Sequence, residues 1–407
     1  MKKPQTISEK ILSDHAGYAV YANDLVVLGV DGMMASDTTA PYAIKAFEEM
    51  GGTKVWDSSK TFFVIDHASP APNERIGNLH SMMRKFANEQ NIKIYDVGEG
   101  ICHQLMVENE HVKPSQLFVG ADSHSCLYGA INAFGTGIGS TDLAAVMLTG
   151  KIWLKVPQTI KVVFNGNLKN GVSAKDLILF LAGQLSIDGA TYQTLEFHGS
   201  TIEKMSLSSR MTMANMGIEI GAKAAIFTPI GLELPYNWQP TFADQGATYS
   251  QVLVYDASEI MPQIAVPHAP DNVFDISKAI GTPIQYAFIG TCVNGRLEDL
   301  HVAATIMKGK KLAKGVRMLI APASQKVFLE ALKDGTAQIL IEAGASFITS
   351  GCGPCVGSHL GVPGDGETVI SSANRNFKGR MGNPNAKVYL GSPATVAASA
   401  IAGYITN

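Results

Sequence analysis

The stretch Thr61-Phe62-Phe63-Val64-Ile65-Asp66-His67 is a short apolar run that ends on an acid and a histidine, and the same grammar recurs along the chain. Gln116–Gly120 leads into Asp122-Ser123-His124, and Ala287–Gly290 leads into Cys292. Further strand candidates are Asp24–Val30, Thr159–Phe164, Val252–Tyr255, Val316–Ala321 and Lys387–Leu390, separated by amphipathic or alanine-rich stretches. Such alternation predicts layered α/β architecture. In open α/β sheets ligands collect beyond the carboxyl ends of strands, so these loops are expected to converge on one site.

Two glycine-flanked turns carry three cysteines: Gly290-Thr291-Cys292-Val293-Asn294-Gly295-Arg296 and Gly351-Cys352-Gly353-Pro354-Cys355-Val356-Gly357. A cubane iron–sulfur cluster normally takes four cysteines, so a three-cysteine site leaves one iron open to act as a Lewis acid. The Cys352–Cys355 pair alone is also compatible with redox chemistry, zinc or simple burial. With His359 the three cysteines would complete a Cys3His zinc set. The surrounding glycines favour the cluster, since they give room and amide donors to an anionic group. Cys102 and Cys126 read as small core residues.

His67, His103 and His124 stand near strand ends. Each alone is compatible with a structural role, and a histidine adjacent to an acid on a strand points away from it, which weakens Asp66-His67 as a pair. Together they resemble a site that donates protons and hydrogen bonds to an oxyanion. Arg375 and Arg380, in Ser372–Arg380, are candidates for carboxylate recognition because guanidinium forks match carboxylates; a solvated basic loop is the plain alternative. The run Gly135-Thr136-Gly137-Ile138-Gly139-Ser140-Thr141-Asp142 lacks nucleotide-loop spacing and reads as a turn and helix cap lining the site.

The 407 residues are 46% hydrophobic, enough for more than one core, and two or three domains are expected. Lys and Arg total 32 against 35 Asp and Glu, without a basic run, so neither nucleic acid nor an anionic membrane is an expected partner. The charged start Met1-Lys2-Lys3-Pro4 has no apolar stretch behind it, and no run approaches the roughly 20 apolar residues of a membrane span. With five sparse cysteines this predicts a cytoplasmic protein with reduced thiols. Seven of the 18 prolines fall in residues 229–283, which reads as a connection between domains, with another boundary near Pro157. The tail from Ser392-Pro393 reads as a capped helix.

Across nearly its whole length the chain resembles the aconitase superfamily. The resemblance rests on Tyr95–Gln104, Val119–His124, Asn215–Ala222, Ile289–Leu300, Gly351–Gly357 and Asn374–Arg380, in that order. It implies three aconitase-type α/β domains (1–157, 158–270 and 271–407) around a central cluster cleft, without the family's swivelling fourth domain. It places the ligands of a 4Fe-4S cluster on Cys292, Cys352 and Cys355. It also places active-site histidines on His67, His103 and His124, orienting carboxylates on Asp66 and Glu219, and further site residues on Asp122 and Ser123. Arg375, Arg380, Asn294 and Asp37 fall on the substrate side.

The resemblance further implies a hydro-lyase that isomerises a small hydroxy di- or tricarboxylic acid by dehydration and rehydration. By default this is the 3-isopropylmalate dehydratase reaction of leucine biosynthesis, with homoaconitase or another malate-derivative dehydratase as the alternative. A protonated histidine, His67, is expected to help hydroxyl leave as water, while a separate small subunit supplies the base. A non-catalytic metal- or RNA-binding relative is the alternative of another class. Ser36, where close relatives usually carry histidine, and Thr291 and Val293 depart from the usual pattern, and a shifted substrate would follow if they border it.

Overall fold

Three parallel or mostly parallel sheets organise the computed structural model, which describes residues 3–407; Met1 and Lys2 of the charged N-terminal reading lie outside the described residues. The first sheet has five strands, all parallel, in the spatial order Lys93–Tyr95, Thr61–Val64, Gly32–Ser36, Leu117–Gly120, Phe134–Gly137. Thr61–Val64, Gly32–Ser36 and Leu117–Gly120 are buried throughout, as expected where helices cover both faces of a parallel sheet. Strand order reverses between Gly32–Ser36 and Leu117–Gly120, so the loops beyond their carboxyl ends splay apart and open a crevice there. Asp37 follows one of these strands and Asp122 the other.

The second sheet has four parallel strands: Ala224–Phe227, Thr194–His198, Thr159–Asn165 and the edge strand Gln251–Asp256. The third has seven. Its parallel centre is Lys387–Leu390, Thr368–Ser371, Tyr286–Ile289, Arg317–Ile320 and Ser346–Phe347, extended on one side by the antiparallel strands Gln263–Ala265 and Val273–Asp275. Leu25–Gly29 and Lys151–Lys155 form a separate antiparallel ribbon. All the strand candidates read from sequence are strands, each within about two residues at its ends.

One apolar core runs from Met34 and Phe118 through Phe164 and Phe197 to Phe288 and Leu390, so the three sheets share it. Two further cores lie behind the first and third sheets. Local signals start the helices. Asn73 caps Glu74–Gln90 by accepting from the Ile76 amide, and Ser392 caps Pro393–Ala402 by accepting from the Thr395 amide. In Ala174–Leu185, Asp176 accepts from the amide and hydroxyl of Ser173.

The glycine run 135–142 differs from its reading as a turn. Phe134–Gly137 is an edge strand, and only Gly139 acts as the cap, at the start of Ser140–Thr149. Glycine is needed at 135 because a Cβ there would fall 2.3 Å from the Ser125 carbonyl oxygen. Among the described residues no helix is long and apolar enough to cross a membrane.

Candidate active site

The loops leaving the first and third sheets meet over a cavity of about 290 Å3. Thr38, His67, His103, Asp122, Ser123 and His124 line it from the first sheet, and Thr291, Cys292, Cys352, Cys355, Val356, Asn374, Arg375 and Arg380 from the third. Thus seven loops, separated by up to several hundred residues, deliver one polar site. A larger cavity of about 580 Å3 shares Ser123 with it and is bordered by Gly137, Gly139 and Trp153. The glycine run lines that neighbour instead of the site itself.

Asp66 and His67 do pair, contrary to the weak reading of an adjacent acid and histidine. The strand ends at Val64, so both residues lie in a loop where alternation no longer applies, and His67 Nδ1 sits 2.8 Å from Asp66 Oδ1. Asp66 Oδ2 accepts from the Cys102 amide at 2.7 Å, which locks the carboxylate. The other ring nitrogen, His67 Nε2, lies 3.2 Å from Asp122 Oδ2.

Asp122 is the hub. Its Oδ1 lies 2.7 Å from His103 Nε2 and 3.4 Å from His124 Nδ1, and it also accepts from the His124 amide at 2.8 Å. Burial would push the Asp122 carboxyl up, but the three surrounding histidines hold it well below the usual carboxylate range. For His67 burial disfavours the charged ring, yet the adjoining Cys352 sulfur, Asp66 and Asp122 outweigh it and raise its pKa well above the ordinary histidine value. A proton is therefore held at His67 while Asp122 stays ionised.

Glu219 lies behind this group. It takes His124 Nε2 at 2.9 Å and Arg375 Nε at 2.8 Å on each oxygen. These contacts overcome burial and keep its pKa low. A terminal guanidinium nitrogen of Arg375 donates to Ser123 Oγ at 3.0 Å, joining the third-sheet loop to the histidine loop.

The three cysteine thiols are buried and free, as are those of Cys102 and Cys126, which sit in the shared core. Asn374 bridges two of them: its Nδ2 donates to Cys292 Sγ at 3.5 Å and its Oδ1 faces Cys355 Sγ at 3.6 Å. Arg380 reaches Cys355 Sγ at 3.7 Å. Burial pushes the Cys292 thiol up to about 11 despite the Asn374 bond. Such thiols without a metal are held neutral, and a bound cation would reverse that.

The donor set tests the metal readings. A tetrahedral zinc with Zn–S near 2.3 Å brings its sulfurs within about 3.8 Å of one another. Among the described residues the ligand groups drawn within 4.8 Å are Asp66-His67-Cys352 and His103-Asp122-His124, and the three cysteines are not such a group. His359 does not line the cavity; its Nε2 donates to the His67 carbonyl at 2.7 Å. The Cys3His zinc set is thus not assembled, whereas three thiols spaced around one cavity fit a ligand larger than a single ion.

Close backbone packing makes this spacing. A Cβ at Gly351 would stand 2.8 Å from the Asp66 carbonyl oxygen, which already accepts from the Cys352 amide at 2.8 Å. At Gly357, with φ +74°, a Cβ would meet the Gly382 nitrogen at 2.4 Å.

Two residues expected on the substrate side lie elsewhere. Asp37 is buried, and its oxygens accept from the amides of His67 and Ala68 at 2.8 Å each and from His80 Nε2 at 3.1 Å, so it shapes the His67 turn. Asn294 donates to Asp299 at 2.9 Å beneath the cysteine turn, outside the cavity lining. Of the departures, Thr291 lines the cavity with φ +72°, a rare conformation for a β-branched residue. Ser36 acts through Thr38, 2.9 Å from its hydroxyl, and Val293 is buried in the core. Sequence reasoning did not single out Thr38, Val356 or Asn374. For Asn374 the signal was its place beside Arg375.

The sequence profile of the Aconitase family (aconitate hydratase) matches residues 9–403. The chain is 47% identical to the 3-isopropylmalate dehydratase large subunit 2 of Archaeoglobus fulgidus, covering 99% of this chain and 98% of that one. It is 47% identical to the 3-isopropylmalate dehydratase large subunit 1 of Thermotoga maritima, with the same coverage. It is 48% identical to a probable methanogen homoaconitase large subunit of Methanosarcina mazei, over 93% of this chain and 98% of the relative. Among solved structures it resembles Thermococcus kodakaraensis aconitase X, with a TM-score of 0.53 and 13% identity over 91% of this chain and 89% of that one, which bears on the fold alone. A full-length profile match, near-half identity over whole chains and the shared α/β fold agree: the chain belongs to the aconitase family.

Proposed function

We propose that this chain is the large subunit of a hydro-lyase that interconverts small hydroxy acids by dehydration and rehydration, with 3-isopropylmalate as substrate in leucine biosynthesis. The observation that carries the reading is the cavity itself, where three buried thiols, a charged-histidine hub and two arginines face one another. The names of the most similar relatives favour 3-isopropylmalate, and homoaconitase activity is the second reading, favoured by the Methanosarcina relative.

Cys292, Cys352 and Cys355 would hold a 4Fe-4S cluster; when bound, it supplies a Lewis-acidic iron beside the substrate hydroxyl. The chain's own residues do the rest. Arg375 and Arg380 receive substrate carboxylate, with Arg375 aimed by Glu219 and Ser123. His67 holds a proton at Nε2, which it gives to the departing hydroxyl, while Asp122 keeps that nitrogen directed and charged. His103 and His124 are held by the same carboxylate as donors toward the developing charge. The proton alpha to the carboxylate is assigned to a base on a small subunit, and the relatives' names as large subunits support such a partner.

As domain units we propose the three sheets with their helices. The first break lies near residue 157, and the second before Gln263 instead of at 270, because Gln263–Ala265 ladders with the third sheet. Five free, buried thiols suit a reducing compartment, and we place the chain in the cytoplasm.

The test is anaerobic iron and sulfide analysis of the reconstituted chain, followed by assay with and without a small subunit on 3-isopropylmalate, homocitrate and citrate. Iron and sulfide in equal amounts, with turnover of 3-isopropylmalate only when the partner is present, is the expected result. Zinc without sulfide, or full activity from this chain alone, would overturn it.

A further inference from the structure

A cation lies buried behind the site on the second sheet's helix, and its contacts lead to the cavity. Lys175, in the first turn of Ala174–Leu185, is 1% exposed. Its ammonium donates to two consecutive carbonyls, Ser372 at 2.8 Å and Ala373 at 2.7 Å. Among the described residues those carbonyls have no other hydrogen-bond donor. Next in the chain come Asn374, which bridges the Cys292 and Cys355 sulfurs, and Arg375, which is locked to Glu219 and Ser123.

Two adjacent carbonyls pointing the same way repel unless a shared cation lies between them. Burying an ammonium among them is unfavourable in itself, and here burial pulls the Lys175 pKa down to about 7. The geometry explains why such a residue is kept: an apolar side chain of equal size would leave both carbonyls unpaired and let the turn rotate, and Asn374 and Arg375 would move with it.

We propose that Lys175 is a positioning residue that sets the Ser372–Arg375 turn, and so aims Asn374 at the cysteine ligands and Arg375 at the substrate carboxylate. The inference rests on the reading of Arg375 as a substrate contact. Its geometric part, the hold on the turn, stands independently.

The experiment compares wild type, Lys175→Ala and Lys175→Gln, each reconstituted anaerobically and assayed with the small subunit. A small cavity of about 60 Å3 between Ser208, Thr212 and Asp299 already adjoins Lys175, so ethylammonium has a path to the space left by alanine. Lys175→Ala is expected to raise KM by about tenfold or more with a smaller change in kcat, as remote misplacement does. It should also speed hydrogen exchange of the amides in 373–380 and bleaching of the cluster absorbance in air.

Added ethylammonium should reverse all three, choline should not, and Lys175→Gln should fall between. Wild-type KM and exchange in a folded Lys175→Ala protein would overturn the proposal, as would faster exchange spread evenly over the fold with no rescue. If alanine prevents folding, the same readouts on Lys175→Gln decide. If wild type turns over none of the acids, the proposed function fails, while exchange at 373–380 and its rescue still decide the role of Lys175.

Discussion

Asp122 Oδ1 lies 2.7 Å from His103 Nε2, while the other oxygen of the same carboxylate faces His67 Nε2 at 3.2 Å. One acid therefore joins histidines from two loops 36 positions apart in the sequence, 103 minus 67. With His124 on Oδ1 as well, it fixes the relative orientation of three rings. Its charge is what keeps a proton on His67.

Asp122→Asn should therefore cost far more activity than stability. The amide cannot accept from all three rings, and its NH2 would confront a ring nitrogen. Loss of a positioned acid–base group lowers kcat by roughly 10²–10⁴-fold. Circular dichroism and iron content should stay near wild type. A variant within a few-fold of wild-type kcat would remove Asp122 from the centre of the mechanism.

Asp37 makes a pH prediction. Burial raises its pKa, but the His80 bond, the His67 charge and the amides of His67 and Ala68 bring it down to about 2. A carboxylate depressed in the folded state adds stability above its unfolded pKa, near 4, and that stability is lost as pH falls toward 2. The contribution is about 2 kcal/mol. Thermal melts of wild type and Asp37→Asn should differ by that amount at pH 7 and converge near pH 2; equal melts at neutral pH would refute it.

The five cysteines should separate cleanly. Serine at Cys292, Cys352 or Cys355 should each abolish the brown absorbance and the bound iron and sulfide. Cys126→Ala removes a sulfur 3.1 Å from the Ala214 carbonyl in the core and should lower stability by about 1–2 kcal/mol while leaving the spectrum intact. Iron retained by all three serine variants would mean that another donor set holds the metal.

Arg375 is held through a guanidinium fork that lysine cannot reproduce. Arg375→Lys should raise KM by about tenfold or more, and it should also loosen Glu219 from His124. Steady-state kinetics with the small subunit present would show both effects; an unchanged KM would place the substrate carboxylate elsewhere.

Strand ends and chemical residues were legible because local rules produce them: apolar runs make strands, and a strand that stops leaves its next residues in a loop. Thr61–Val64 followed by Asp66 and His67 is an instance. The Asp66–His67 pair was misjudged because alternation was carried two residues past the strand end. Asp37 was placed on the substrate side because its neighbours resemble a site, yet its contacts are three partners from other segments that no local rule reports.

By itself the sequence determined the α/β class, most strand ends and the identity of the thiols, histidines and arginines, since each follows from local pattern and chemistry. Only the tertiary structure decided which of them touch. The reversal of strand order at Gly32–Ser36 and Leu117–Gly120 opens the crevice, and the core shared by three sheets brings Asn374 and Arg375 to Cys292 and Glu219. The choice of Asp122 as hub, and of Lys175 as the buried partner of the Ser372 and Ala373 carbonyls, depends on distances between segments far apart in the chain. Such distances are set by packing and by the pairing of buried polar groups, which act through space and leave no periodic trace along the sequence.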